Sequence, residues 1–284
     1  MKLSVMELFD LSGRITVITG GGGELCGTMA EALAGLGVKV AILDINLDQA
    51  RHRERVIRAA GGTARAFRCD LLNAAELQER LQEITALWEA PDILINGAGG
   101  NDPRGSTTKE FLELADVDAP DIKGFLDLEF EGFQSVFNVN FMGTFLPTQV
   151  FARGMLRKKK GTVLNISSVS ALTPLTKVGA YSAAKAAVSS FTHWLAVHLA
   201  PVGIRVNAIA PGFFMTEQLK FLHIDPQSGD LTLRAREVVA HTPMGRYGEP
   251  EELLGTVVWL LSDASRFVTG SVVVVDGGFS SLSI

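Results

Sequence analysis

Seven short apolar runs, separated by stretches of helical pattern, constrain this 284-residue chain more than any other feature. They cover residues 14–19 (RITVIT), 38–44 (VKVAILD), 63–70 (TARAFRCD) and 92–99 (DILINGAG), with later runs starting at Gly161 (GTVLNISS), Gly203 (GIRVNAIAPG) and Ser271 (SVVVVDGG). The first is followed by a helical pattern to about Leu36, closed by Gly37. A charged helix follows the second run over 47–60, and another follows the third over 74–88. Strands that alternate with helices pair in parallel, and a parallel sheet needs cover on both faces. The expectation is an α/β fold. A single-domain, Rossmann-type doubly wound parallel sheet would span 1–284, since no repeat or low-complexity linker divides it.

Two polar, proline-bearing segments break the rhythm, 100–127 and 212–248. Long irregular segments in a compact domain are usually functional. The second reads as a substrate lid; the first shapes either the pocket or an interface. A net charge of -5 argues against a nucleic-acid or anionic-membrane surface, but not against a local site for a small anion. The two cysteines, Cys26 and Cys69, have no metal-ligand or CxxC spacing and read as reduced thiols. No metal site is expected. The N-terminal residues lack an apolar signal region, and no run approaches the roughly 20 residues of a membrane span. A soluble, cytoplasmic protein is expected.

The stretch TGGGGELCG (19–27) lies between the first strand and the first helix, where backbone amides at a helix N-terminus can hold a phosphate. Gly20 and Gly23 supply the tight turn. Asp44 ends the second strand, about 20 residues on, where a carboxylate accepts hydrogen bonds from ribose hydroxyls. It would repel a 2′-phosphate, and no Arg or Lys immediately follows, so NAD is favoured over NADP. The alternative is that Asp44 caps the next helix. Further on, YSAAK places Tyr181 and Lys185 four residues apart, on one helical face. A phenol titrates near pH 10, and a neighbouring cation lowers that value toward acid–base use. Ser168 ends a strand thirteen residues before Tyr181, where its hydroxyl could hold a substrate oxygen. His193 and His198 follow on the same helix without a partner at ligand spacing and read as core or interface residues. Arg157 to Lys160 end a helix, where cations complement the dipole.

Taken together, the glycine loop, NGAG, the strand-end serine and YxxxK resemble the short-chain dehydrogenase/reductase family over about residues 14–278. The resemblance implies a general acid/base at Tyr181, a carbonyl-polarising hydroxyl at Ser168, and Lys185 acting on Tyr181 and the nicotinamide ribose. It implies a water-anchoring role for Asn140 in the proton relay, and adenine contacts from Asp70 with Leu71. Asn96, Ala98 and Gly99 would line the cofactor. Pro211, Gly212 and Thr216 would hold the carboxamide. The usual loop is T-G-x-x-x-G-x-G, whose last two glycines fall here on Glu24 and Cys26. Leu25 keeps the place whose amide meets the phosphate, and Glu24 is expected to turn to solvent. Family members are commonly tetramers, so a homotetramer is implied.

TGGGG-x-LCG, NGAGGN-x-P-x-G, GTFLPTQVF, AYSAAKAAV, APGFF-x-TEQ and HTPMGR-x-GEPEEL resemble a narrower subgroup, the short-chain-type D-mannonate oxidoreductases or fructuronate reductases. This implies interconversion of D-fructuronate and D-mannonate. A sugar acid needs a cation for its carboxylate, and Arg104, Lys177 and Arg246 are the candidates, in that order. The alternatives are a reductase of another polyol, sugar or 3-oxoacyl substrate, or a non-catalytic dinucleotide sensor.

Overall fold

The computed structural model describes residues 4–283. Its elements in chain order are α1 (Val5–Leu8), β1 (Ile15–Thr19), α2 (Glu24–Gly35), β2 (Lys39–Asp44), α3 (Leu47–Ala59), β3 (Thr63–Arg68), α4 (Ala74–Leu87) and β4 (Ile93–Asn96). After an irregular stretch come α5 (Phe130–Phe137), a π-helical turn (Asn138–Met142), α6 (Gly143–Lys158), β5 (Gly161–Ile166), α7 (Gly179–Leu199) and β6 (Ile204–Pro211). The chain continues with α8 (Glu217–His223), α9 (Leu233–His241), α10 (Leu254–Leu261) and β7 (Val272–Val275).

The strands form one parallel sheet in the order β3-β2-β1-β4-β5-β6-β7. All seven apolar runs are strands in it. Successive strand residues point to opposite faces, which divides the core in two. Ile18, Val40, Ile42, Ile93, Ile95 and Leu164 pack with α2, α3 and α10. Val17, Ala41, Leu43, Leu94 and Val163 pack on the other face with α4, α6 and α7. The strand order reverses at β1, whose neighbours are β2 and β4. Crossovers leave in opposite directions there, opening a crevice at the carboxyl ends of the strands.

Side-chain caps set the helix starts. Asn46 accepts from the Asp48 and Gln49 amides at the start of α3, and Asn73 from those of Ala75 and Glu76 at the start of α4. Helix α2 ends before Gly37, which takes a φ of 78°. Segment 212–248, expected to be irregular, holds two helices. The Thr216 and Thr232 hydroxyls accept from Leu219 and Ala235 amides and start them, a capping signal that the surrounding prolines obscured. Segment 100–127 keeps only single turns at Pro103–Gly105, Leu114–Asp116 and Phe125–Asp127. No helix among the described residues is long and apolar enough to cross a membrane.

Candidate active site

The turn after β1 is forced tight by its neighbours. Gly20 has a φ of 64°, and a Cβ there would sit 2.7 Å from Ala98 Cα. Gly21 donates its amide to Leu43 O, Gly22 to the Asp44 carboxylate at 3.0 Å and Gly23 to Gly20 O. Gly23 is the N-cap of α2, and its carbonyl accepts from Gly27 at 2.8 Å. The first-turn amides of Glu24 and Leu25 have no acceptor within the helix, the arrangement that favours an anion at a helix N-terminus. Asp44 sits at the end of β2, with one oxygen on Gly22 and the other on Asn46 N–H at 2.9 Å. The helix cap is Asn46, so the capping alternative for Asp44 falls away.

Glu24 is not turned to solvent as expected. It is half-buried, and its Oε2 accepts from the Glu217 amide at 2.6 Å, at the start of α8. That amide is one of the unpaired donors at a helix N-terminus, and a carboxylate is its natural partner.

Opposite the glycine loop, the end of β4 runs through Gly97, Ala98 and Gly99. The Gly97 and Ala98 amides donate to the Thr19 hydroxyl at 3.1 and 3.3 Å. Asn96 is buried and donates to the Thr148 hydroxyl and the Asn165 amide oxygen, both at 2.8 Å; Asn165 in turn donates to Thr192. This ladder ties β4 and β5 to α6 and α7. Beyond the end of β3, at the sheet edge, Asp70 accepts from the Leu72 amide at 2.9 Å, and Leu71 packs against the core. Pro211 ends β6, the Gly212 amide donates to Val275 O, and the Thr216 hydroxyl caps α8.

The acid–base candidates converge on the end of β5. The Ser167 hydroxyl lies 2.7 Å from that of Ser189, pinning this strand end to α7. Ser168 follows; its hydroxyl accepts from the Ser170 amide at 3.2 Å and stands near enough to the Tyr181 phenol to lower its pKa. Lys185, only 3% exposed, donates to Ile166 O at 2.8 Å and lies 5.6 Å from the Tyr181 ring centroid. Asn140 is fully buried in the π-helical turn, donates to Gly100 O at 2.7 Å and Val136 O at 2.8 Å, and accepts from Gly100 N. A Cβ on Gly99 would fall 2.6 Å from Asn140 Oδ1 and 3.1 Å from Lys185 Nζ, so the glycine leaves room for both side chains.

The electrostatics depart from one expectation. Burial pushes the Tyr181 phenol above its ordinary value, and the nearby Ser168 hydroxyl offsets only part of this. Burial also brings Lys185 down to about 8. An ammonium that itself pays for burial, and lies over the ring with its hydrogen bond on a carbonyl, does not depress the phenol here. Cys26, beside Gly97, is a free thiol that burial pushes up to about 12, which suits packing rather than catalysis.

The cation candidates separate. Arg104 Nε and Nη2 hold both oxygens of Asp102, at 3.1 and 2.7 Å. Arg246 holds both oxygens of Glu252 at 2.7 Å. Lys177 lies in the turn before α7 with a left-handed φ of 69°. A further cation was not found by sequence reading. Arg234, on α9, pairs with Glu110 at 2.7 Å across 124 residues of chain, a separation that leaves no local signal. His193 and His198 are exposed, which removes the core reading, and His198 stacks on Trp194. No cluster of metal-ligating side chains occurs among the described residues.

Residues 25–280 match the family profile described as enoyl-(acyl carrier protein) reductase. The uncharacterized oxidoreductase UxuB of Bacillus subtilis is 47% identical over 96% of this chain and 97% of that protein. Among solved structures, a Haemophilus influenza protein proposed as a D-mannonate oxidoreductase, with bound NAD, is 45% identical at a TM-score of 0.92, covering 96% of this chain and 97% of that one. A gluconate 5-dehydrogenase from Burkholderia cenocepacia, in complex with NADP and tartrate, is 30% identical at a TM-score of 0.83, covering 99% of this chain and 100% of that one. With this profile, these relatives and a parallel sheet bearing a glycine loop and a Ser-Tyr-Lys set, the chain belongs to the short-chain dehydrogenase/reductase family of oxidoreductases.

Proposed function

We propose that this oxidoreductase uses NAD to interconvert D-fructuronate and D-mannonate. The observation that carries the reading is the meeting of Ser168, Tyr181, Lys185 and Asn140 at the end of β5, across from the glycine loop. The likeness to the Haemophilus protein supports the substrate and the cofactor.

The residues fit a dinucleotide. The Leu25 amide, with the turn from Gly20 to Gly23, would hold the pyrophosphate, and the Asp44 carboxylate the adenosine ribose. Asp70 and Leu71 would flank the adenine. Asn96, Ala98 and Gly99 would line the cofactor's path, and Pro211, Gly212 and Thr216 would meet the carboxamide. Asp44 disfavours a 2′-phosphate by like-charge repulsion, which supports NAD over NADP. When bound, the reduced nicotinamide supplies the hydride for the ketone carbon. Ser168 donates to the ketone oxygen and orients it. Tyr181 gives that oxygen its proton as negative charge gathers there. A phenol held above its usual pKa is protonated at neutral pH, the form that ketone reduction requires. Alcohol oxidation requires the phenolate and should gain with rising pH. Lys185 and Asn140 return a proton to Tyr181 from water. Segment 212–248 acts as the substrate lid. The same reading takes the assembly as a homotetramer, supported by Trp194 and Val197 standing exposed on α7.

With D-fructuronate and NADH, Tyr181→Phe should lower kcat by about 10²–10⁴-fold while NADH binding stays within about threefold of wild type. Near-normal turnover would contradict the assignment. A second reading, reduction of a different sugar acid, is favoured by the likeness to the gluconate 5-dehydrogenase.

A further inference from the structure

Segment 100–127 and helix α9 meet on a single carboxylate. Glu110 Oε1 accepts from Arg234 Nη1 at 2.7 Å and from the Thr176 hydroxyl at 3.2 Å. Thr176 lies in the turn before α7, five residues ahead of Tyr181. That turn is fixed on both sides. The Lys177 carbonyl accepts from the Thr107 amide at 2.9 Å, and the Ser182 hydroxyl accepts from the Leu175 amide at 3.3 Å. Glu110 is thus delivered to the rim of the catalytic helix by a segment anchored three residues earlier.

The cations at hand are not equivalent. Arg104 and Arg246 each present a guanidinium fork to both oxygens of a carboxylate two and six residues away. A fork filled in this way has little left for a second anion. Arg234 meets Glu110 through one nitrogen and one oxygen, and Glu237 stands off at 3.7 Å. Both partners remain open to solvent, at 36% and 33% side-chain exposure. Arg234 also lies in the first turn of α9, where the helix end adds to a field that favours an anion.

We propose that Arg234 and the Thr176 hydroxyl form the seat for the substrate's carboxylate, and that Glu110 occupies this seat until the substrate displaces it. The inference rests on the sugar-acid reading and names the residues that select the acid. Exchange of one carboxylate for another never leaves the guanidinium unpaired, so the swap costs little. A neutral ketone cannot displace Glu110, so the internal carboxylate also discriminates against uncharged sugars.

The test is steady-state reduction of D-fructuronate by NADH in wild type, Arg234→Met, Arg234→Lys and Glu110→Gln. Arg234→Met should raise KM by about 10–100-fold, the worth of a charge-assisted hydrogen bond, with kcat changed far less. Arg234→Lys should recover part of that loss. Glu110→Gln should lower KM, because the competitor is weakened. An unchanged KM in Arg234→Met would overturn the seat. An unchanged or raised KM in Glu110→Gln would make Glu110 a structural clasp and overturn the competition. Absence of fructuronate turnover in wild type would overturn the substrate reading, and the seat with it.

Discussion

Lys185 keeps an amine at 3% exposure, with one hydrogen bond to Ile166 O, in a site lined by small residues. Its pKa falls from 10.5 to about 8 because burial penalises the ammonium. Between those values the unfolded chain binds more protons than the folded one, so stability rises with pH across that window. Below it, the folded protein carries the full cost of a buried charge. Lys185→Met should therefore abolish turnover yet raise the Tm of the cofactor-free protein by about 2–4 °C at pH 7. The gain should shrink near pH 10, as the wild-type amine neutralises. A Tm that falls, or a gain independent of pH, would show that the buried positive charge is not what costs the fold stability. At this scale the Tyr181–Lys185 pair was legible because four residues of helix bring two side chains together whatever surrounds them. The direction of the Tyr181 shift was not, because it depends on how deeply the ring is packed.

Elements met their expected places where a local pattern governs them. The seven strands follow from alternation, and the starts of α3 and α4 from asparagines that cap them. Helices α8 and α9 were missed, although their threonine caps stand in the sequence. The contact between α2 and α8 has no local signal at all. Glu24 begins one helix and accepts from the first amide of another 193 residues on. This hydrogen bond ties the glycine loop to the segment that follows β6. Glu24→Ala should let NADH leave faster, by about three- to tenfold for a charge-assisted hydrogen bond at a half-exposed position. Glu24→Gln keeps an acceptor oxygen and should stay near wild type. Stopped-flow displacement of NADH measures both. Slower release from Glu24→Ala would mean that the carboxylate repels the pyrophosphate instead.

Across the whole molecule, strand order decides what can meet. Reversal at β1 places the glycine loop, Asp44, the turn after Asn96, Ser168 and Pro211 at the carboxyl ends of five parallel strands. This gathering was legible, since alternation of strand and helix implies the sheet and the sheet implies its crevice. The two segments inserted after β4 and β6 were legible as departures from that rhythm. Their meeting at Glu110 and Arg234 was not, because it is made by side chains far apart in sequence. The seat proposed for the substrate's carboxylate draws on both insertions, whereas the parallel sheet is common to many chemistries. The most direct measurement is NADH oxidation with D-fructuronate, beside NADPH and beside 3-oxoacyl and simple ketone substrates. Turnover with fructuronate and NADH, well above every control, is the result predicted here. Turnover confined to a control substrate would contradict the sugar-acid assignment and leave the family and its catalytic set in place.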